Sequence, residues 1–321
     1  MNVLSLFDGI SGAQVALLRS PLKVTNYFAS EVNKHAIKVT QQNFPDTVQL
    51  GDITQWKTWD LPTIDLLIGG SPCQGFSFAG KQLNFNDPRS KLFFEFLNCL
   101  NHFKPKYFLL ENVRMKQEYR QVITDLLKVD PTQINSALVS AQNRQRLYWC
   151  NWRTKQPTDR GILLRHIIDP PIHSETVLIQ QKGRGNNPGG LRAMDGKTPC
   201  LSSSSWEHNN HLVIQVNPSK ESGGKQPYMQ NRVYDSRGKA PALTSFCNRL
   251  NVKTPLSYVR KLTPIECERL QTFEDGYTEG ISNSQRYKAL GNSFTVDVIT
   301  HLLTNLFYQE NPHLNLLYRL M

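Results

Sequence analysis

Five short apolar runs, each closed by a turn, decide what this chain can fold into. They occupy residues 3–7, 27–30, 48–50, 64–68 and 107–110. Runs this short, without polar alternation, suit strands buried on both faces. Helical patterns fall between them, at residues 33–43 and 90–103, with another at 118–128. Strands alternating with helices predict a mostly parallel sheet covered on both sides, an α/β fold. Residues 132–139 and 146–150 read as two further strands, paired as a hairpin.

Two of the turns carry chemistry. Phe7-Asp8-Gly9-Ile10-Ser11-Gly12 follows the first run. A strand, a glycine turn and a helix let the backbone approach a ligand at the helix N-terminus. Gly70-Ser71-Pro72-Cys73-Gln74-Gly75-Phe76-Ser77 follows the fourth run and stops it abruptly. Cys73 then falls at the carboxyl end of a strand, where open α/β sheets collect ligands and reacting groups. Taken alone, it is either a structural thiol in a turn or a reactive one. The polar stretch 74–89 could close over it like a lid. Glu31 ends the second run, where a carboxylate either accepts from ribose hydroxyls or charges the start of the next helix. Gly51-Asp52 closes the third.

A chain of 321 residues holds one large domain with an insertion, or two domains. No apolar segment is long enough for a membrane span, and the start lacks a basic leader, so neither membrane insertion nor secretion is expected. The six cysteines lack metal-site spacing, and no metal site is expected. The net charge is +11, and sixteen Lys/Arg against seven Asp/Glu lie between Asn151 and Arg260. A basic middle third fits either a polyanion partner or a solvated basic face.

The texture changes near Trp152. Residues 154–257 are rich in Gly, Asn, Ser and Pro, with short β-like runs at 177–180 and 212–216. A faint repeat pairs residues 196–203 with 238–245. These features predict an inserted, loop-rich β domain at 154–257, interrupting a domain built from 1–153 and 258–321. Thr263-Pro264-Ile265-Glu266 then announces a helix, with Thr as cap, Pro first and Glu three residues after the cap. Gly291-Asn292-Ser293 is expected to open a last amphipathic helix through Leu306.

These landmarks, in this order, resemble those of the DNA (cytosine-5)-methyltransferase family across nearly the whole chain. Glu111-Asn112-Val113 and Gln142-Asn143-Arg144-Gln145-Arg146 match two catalytic motifs, and residues 260–271 match a late scaffold motif. The departures lie in the first turn, where Ser5 stands for the family's Asp and Ser11 for its glycine.

The resemblance implies a Rossmann-like methyltransferase sheet, a target-recognition insertion and S-adenosylmethionine as donor, without a metal. It implies Cys73 as nucleophile, Glu111 as the acid at ring N3, and Arg144 and Arg146 as partners of the base or of the two catalytic groups. Arg144 is preferred for the base contact. A free thiol has a pKa of about 8.5, so such a site must favour the thiolate. Phe7, Gly9, Gly12, Glu31, Asp52, Pro72, Asn292 and Ser293 are expected around the donor. Gln74, Ser77, Arg184, Arg192, Ser203, Ser204, Thr244 and Arg249 are candidates for DNA contact. The implied partner is duplex DNA, with the target base flipped out of the stack. A monomer in a bacterial or phage-infected cell is expected, with a cognate restriction endonuclease as a possible companion. A tRNA methyltransferase of the same family is the alternative, although its Cys-Phe-Thr signature is missing. A non-catalytic DNA-binding regulator is a third reading, disfavoured because Cys73, Glu111, Arg144 and Arg146 are all present.

Overall fold

The apolar runs form the expected strands: β1 (Asn2–Leu6), β2 (Asn26–Ser30), β3 (Val48–Gln49), β4 (Leu66–Gly69) and β5 (Tyr107–Val113). The computed structural model describes residues 1–71, 88–163, 166–167, 177–184, 187–193, 198–199, 211–214 and 259–314. Within these residues β6 (Thr132–Asn135), β7 (Gln142–Asn143) and β8 (Gln145–Cys150) follow. Seven strands make one sheet in the order β3-β2-β1-β4-β5-β8-β6. The first five run parallel, and β8 lies antiparallel between β5 and β6. Strand order reverses between β1 and β4, which places the ligand crevice beyond their carboxyl ends.

Side chains on successive strand residues point to opposite faces, so each strand feeds two cores. Val3, Ile68, Leu109 and Tyr148 face one side, packed with α1 (Gly12–Arg19), α2 (Lys34–Asn43) and the last helix. Leu4, Leu67, Leu110 and Trp149 face the other, packed with α3 (Pro88–Phe103) and α4 (Gln117–Leu127). This two-sided burial is why the strands read as unbroken apolar runs.

The chain returns to the first core through α5 (Pro264–Leu270), α6 (Asn283–Asn292) and α7 (Val296–Glu310). Thr263 and Glu266 form the expected capping box ahead of α5. Val296, Ile299, Leu302, Leu303 and Leu306 make the buried stripe of α7 against α1. Glu268 is fully buried and accepts from Gly276 N (2.7 Å), Thr278 N (2.8 Å) and Arg286 Nη2 (2.9 Å). That carboxylate fixes the turn leading into α6.

Three expectations need correction. The strand expected at 132–139 stops at Asn135, because the Asn135 side chain accepts from Ala137 N and starts a 3-10 turn at Ser136–Leu138. Gly291 and Asn292 end α6 instead of opening α7, whose N-cap is Thr295. Glu111 lies inside β5, since β8 pairs with that strand as far as Val113.

A second, antiparallel sheet has the order β10-β9-β12-β13, from β9 (Val177–Arg184), β10 (Asn187–Ala193), β12 (His211–Ile214) and β13 (Val259–Lys261). Its last strand comes from beyond the boundary expected at 257. The short β11 (Thr198–Pro199) pairs with β7. Most of the repeat at 196–203 and 238–245 lies outside the described residues. Among the described residues no helix is long and apolar enough to cross a membrane.

The carboxyl end of β4 tests how closely the sheet is fitted. A Cβ on Gly69 would stand 2.8 Å from the Leu6 carbonyl oxygen and 3.3 Å from both Leu6 Cβ and the Phe96 ring. Backbone cannot yield as a flexible side chain does. Gly69→Ala is therefore expected to destabilise the fold by about 1–3 kcal/mol, read from urea unfolding midpoints.

Candidate active site

A cleft of about 560 Å³ opens at the strand-order reversal, lined from the ends of β1, β2, β4, β5 and β8 and from α6. Its floor is the turn after β1. Phe7 (φ 57°), Gly9 (φ 61°) and Ser11 (φ 57°) all take left-handed conformations there, unusual for the two that carry side chains. Gly9 N donates to Glu31 Oε2 at 2.8 Å, and Glu31 Oε1 accepts from Val32 N and Asn33 N, both at 2.8 Å. Glu31 therefore ties the first turn to the second and stands before the α2 cap, Asn33. Asp52 caps the next turn through Thr54 N at 2.9 Å. The apolar side chains of Val32 and Ile53 line the cleft beside these two carboxylates.

Phe7, Gly9, Glu31, Asp52 and Asn292 all line this cleft. Gly12 and Ser293 stand behind it. A Cβ on Gly12 would lie 2.9 Å from Ser293 Oγ and 3.3 Å from the Phe273 ring, so Gly12 permits the chain's two ends to pack.

The other end of the cleft holds the ionisable groups. Glu111 Oε1 and Arg146 Nε are 3.0 Å apart, with each side chain 13% exposed. Glu111 Oε2 closes on Gly70, where a Cβ would stand 3.2 Å away. Asn112 faces the other way and its Nδ2 donates to Ser71 Oγ at 3.3 Å. Ser71 is thereby tied to β5 through Asn112, two positions before residue 73 in the sequence.

Arg144 is buried, and its Nη1 and Nη2 donate to the carbonyls of Gly291 (3.3 Å) and Ser293 (2.9 Å). The sequence alternation puts Arg144 and Arg146 on one strand face, but Arg144 precedes β8 and reaches the C-terminal end of α6. Both arginines, Arg144 and Arg146, line the cleft. The Nη1 and Nη2 groups of Arg144 meet backbone carbonyls, whereas Nε of Arg146 lies on Glu111.

Pro72, Cys73, Gln74, Ser77, Ser203, Ser204, Thr244 and Arg249 lie outside the described residues, as does the lid stretch up to the start of α3 at Pro88. Arg184 ends β9 and Arg192 lies in β10. Of the other cysteines, Cys99, Cys150 and Cys267 are buried. Burial pushes the Cys99 and Cys150 thiols up to about 12 and raises Cys267 as well, which suits inert core thiols. Among the described residues no group of three or more His, Cys, Asp or Glu could hold a metal ion.

One feature escaped the sequence reading. Asp8 is buried beneath the first turn, accepting from Ser11 Oγ and from Tyr27 Oη (2.6 Å). Burial raises its pKa from 3.8 to about 6, against the lowering effect of those hydroxyls. The folded chain therefore holds this proton more tightly than the unfolded one. Asp8's contribution to stability is complete below the ordinary carboxylate range and is lost as pH rises through about 6.

The comparisons agree with the geometry. The family model for the C-5 cytosine-specific DNA methylase matches residues 1–308. The Type II methyltransferase M1.ScrFI of Lactococcus lactis subsp. cremoris is 30% identical over 93% of this chain and 76% of its own length. The orphan methyltransferase M.SPRI of Bacillus phage SPR is 25% identical over 96% of this chain and 98% of its own. The solved structure of the Entamoeba histolytica methyltransferase EhMeth shares the fold, with a TM-score of 0.64 at 18% identity, covering 96% of this chain and 98% of that one. With its strand order, its acidic turns and the Glu111–Arg146 pair at the crevice, the chain belongs to the C-5 cytosine-specific DNA methylases, a family of S-adenosylmethionine-dependent methyltransferases.

Proposed function

We propose that this methyltransferase modifies a flipped-out cytosine in duplex DNA through a transient covalent bond from Cys73. The Glu111–Arg146 pair carries this reading, since it stands beside Gly70 at the end of the strand that leads to Cys73. Carbon 5 of cytosine is a poor nucleophile. Addition of the Cys73 thiolate to carbon 6 sends the ring electrons toward carbon 5, and a proton shared from Glu111 to N3 neutralises the ring. Arg146 holds the Glu111 carboxyl group in place and offers a donor to the base. Once carbon 5 carries the transferred methyl group, its proton passes to solvent water, the carbon–sulfur bond breaks to return the Cys73 thiolate, and N3 gives its proton back to Glu111. Arg144 acts indirectly, by holding the end of α6 against β8.

S-adenosylmethionine, when bound, supplies a methyl group made electrophilic by its sulfonium. The cleft suits such a molecule, as its volume lies in the usual ligand range of about 300–1,000 Å³. Glu31 is placed to accept from ribose hydroxyls and Asp52 from an adenine amino group, with Val32 and Ile53 as apolar walls. Gly9 has no heavy atom within 4 Å of where a Cβ would stand, which leaves its face open to a ligand. Residues 154–257 form the target-recognition part on a catalytic unit of 1–153 and 258–321, a division that the second sheet and the basic charge support. A monomer acting in the cytoplasm of a bacterial or phage-infected cell belongs to the same reading, and the relatives' bacterial and phage sources support the host. The Type II name of one relative fits a cognate endonuclease as companion, and the orphan name of the other fits none.

A duplex carrying 5-fluorocytosine at the target site is expected to trap the chain, because fluorine cannot leave as the proton does. Peptide mapping should place the adduct on Cys73, and an adduct elsewhere, or none, would overturn the mechanism. The two arginines separate by readout. Arg146→Ala should lower kcat by about 10²–10³-fold with an unchanged urea midpoint, as loss of one charge-stabilising donor does. Arg144→Ala should lower stability by about 1–3 kcal/mol for each carbonyl left buried without a donor, measured by the same unfolding curves.

A further inference from the structure

We propose that Asp8 is a positioning residue for the cofactor turn, its carboxylate holding Ser11 in the left-handed conformation that a glycine would adopt unaided. The inference rests on the assignment of the cleft to S-adenosylmethionine. Ser11 is the N-cap of α1, with φ 57° and ψ 36°, yet its side chain caps no helix amide. Its hydroxyl is turned to Asp8 Oδ2 and lies 3.0 Å from Thr40 Oγ1. The left-handed region crowds Cβ against the following carbonyl, and a side-chain anchor of this kind offsets that cost for a serine.

Asp8 supplies the anchor from both sides of its carboxylate. Oδ2 takes the Ser11 hydroxyl and Oδ1 takes the Tyr27 phenol of β2 at 2.6 Å. The Asp8 backbone adds bonds to Ser30 O (3.1 Å) and from Ser11 N (3.2 Å). The start of α1 is thereby tied to β2, and Gly9 is carried between them with its amide on Glu31. A small shift of Ser11 would move both Gly9, on the cleft floor, and Gly12, which packs on Ser293.

The groups around Asp8 supply acceptors and hydroxyl donors. Tyr27 faces it from β2 and Glu31 from just after that strand. Tyr277 approaches from the segment after α5, with its hydroxyl donating to Ile10 O at 2.7 Å. Ser5 of β1 lies close by, outside hydrogen-bonding geometry. Burial disfavours the charge at this position, so a neutral side chain would serve packing alone better. Keeping a carboxylate here makes sense if its two acceptor oxygens are needed.

The test measures binding of S-adenosylhomocysteine to the full chain by calorimetry, with folding checked by circular dichroism. Asp8→Asn should stay folded and bind about tenfold more weakly, and adding Ser11→Gly should restore most of that loss. In the parent, binding should weaken as pH falls through about 6, and in Asp8→Asn that dependence should flatten. Should Asp8→Asn fail to fold, Ser11→Ala is expected to weaken binding more than Ser11→Gly does. Unchanged binding in Asp8→Asn, a loss that Ser11→Gly leaves in place, or equal effects of Ala and Gly at position 11 would overturn the inference. A parent chain that fails to bind S-adenosylhomocysteine would instead overturn the assignment of the cleft.

Discussion

The site depends on one buried cation. Arg144 carries its guanidinium to the C-terminal end of α6, where the carbonyls of Gly291 and Ser293 have no partner within the helix. A helix end of this kind concentrates partial negative charge, which favours a buried arginine there. The bond joins segments nearly 150 residues apart in the chain. It thereby brings the cleft wall of α6 against the strand that presents Arg146. Gln271 reinforces the same junction, with its Nε2 donating to Leu290 O at 2.7 Å and its Oε1 accepting from Thr295 Oγ1 at 2.9 Å.

Close approach is the second constraint. Gly12 meets Ser293, Gly69 meets the Leu6 carbonyl, and Gly70 meets Glu111 and the Phe294 ring. The first two contacts are shorter than a methyl group would permit, and the third would be tight for one. The Glu111 carboxylate approaches the β4 turn closely because no side chain stands at Gly70. The floor of the cleft accepts a different cost, with left-handed turn residues over a buried carboxylate. Raising that carboxylate's pKa by about two units corresponds to roughly 3 kcal/mol set against the charged form at neutral pH. Such costs are usual where backbone must be presented to a ligand.

Much of this architecture can be read locally. The apolar runs identify β1 to β5 because burial on both faces removes polar alternation. The Thr263–Glu266 cap is legible because all its bonds fall within four residues. Where the reading slipped, a distant partner decided the outcome. Strand β5 continues through Glu111 because β8 pairs with it. Strand β6 stops short because the Asn135 side chain bonds forward to Ala137 N and also accepts from Arg144 N. Gly291 and Asn292 look like a helix start in isolation, yet they end α6.

The order of the motifs and the local patterns of polarity were enough to determine an α/β methyltransferase and to nominate Cys73, Glu111 and the two arginines. The division of labour between Arg144 and Arg146 could not come from the string, since they are two residues apart and chemically identical. Tertiary structure separated them by giving one the carbonyls of a helix end and the other a carboxylate. The same is true of Asp8, whose side chain acquired a task only when β2 and α1 closed around it. Contacts between residues far apart in the chain leave no local pattern, because their partners are chosen by packing and not by spacing.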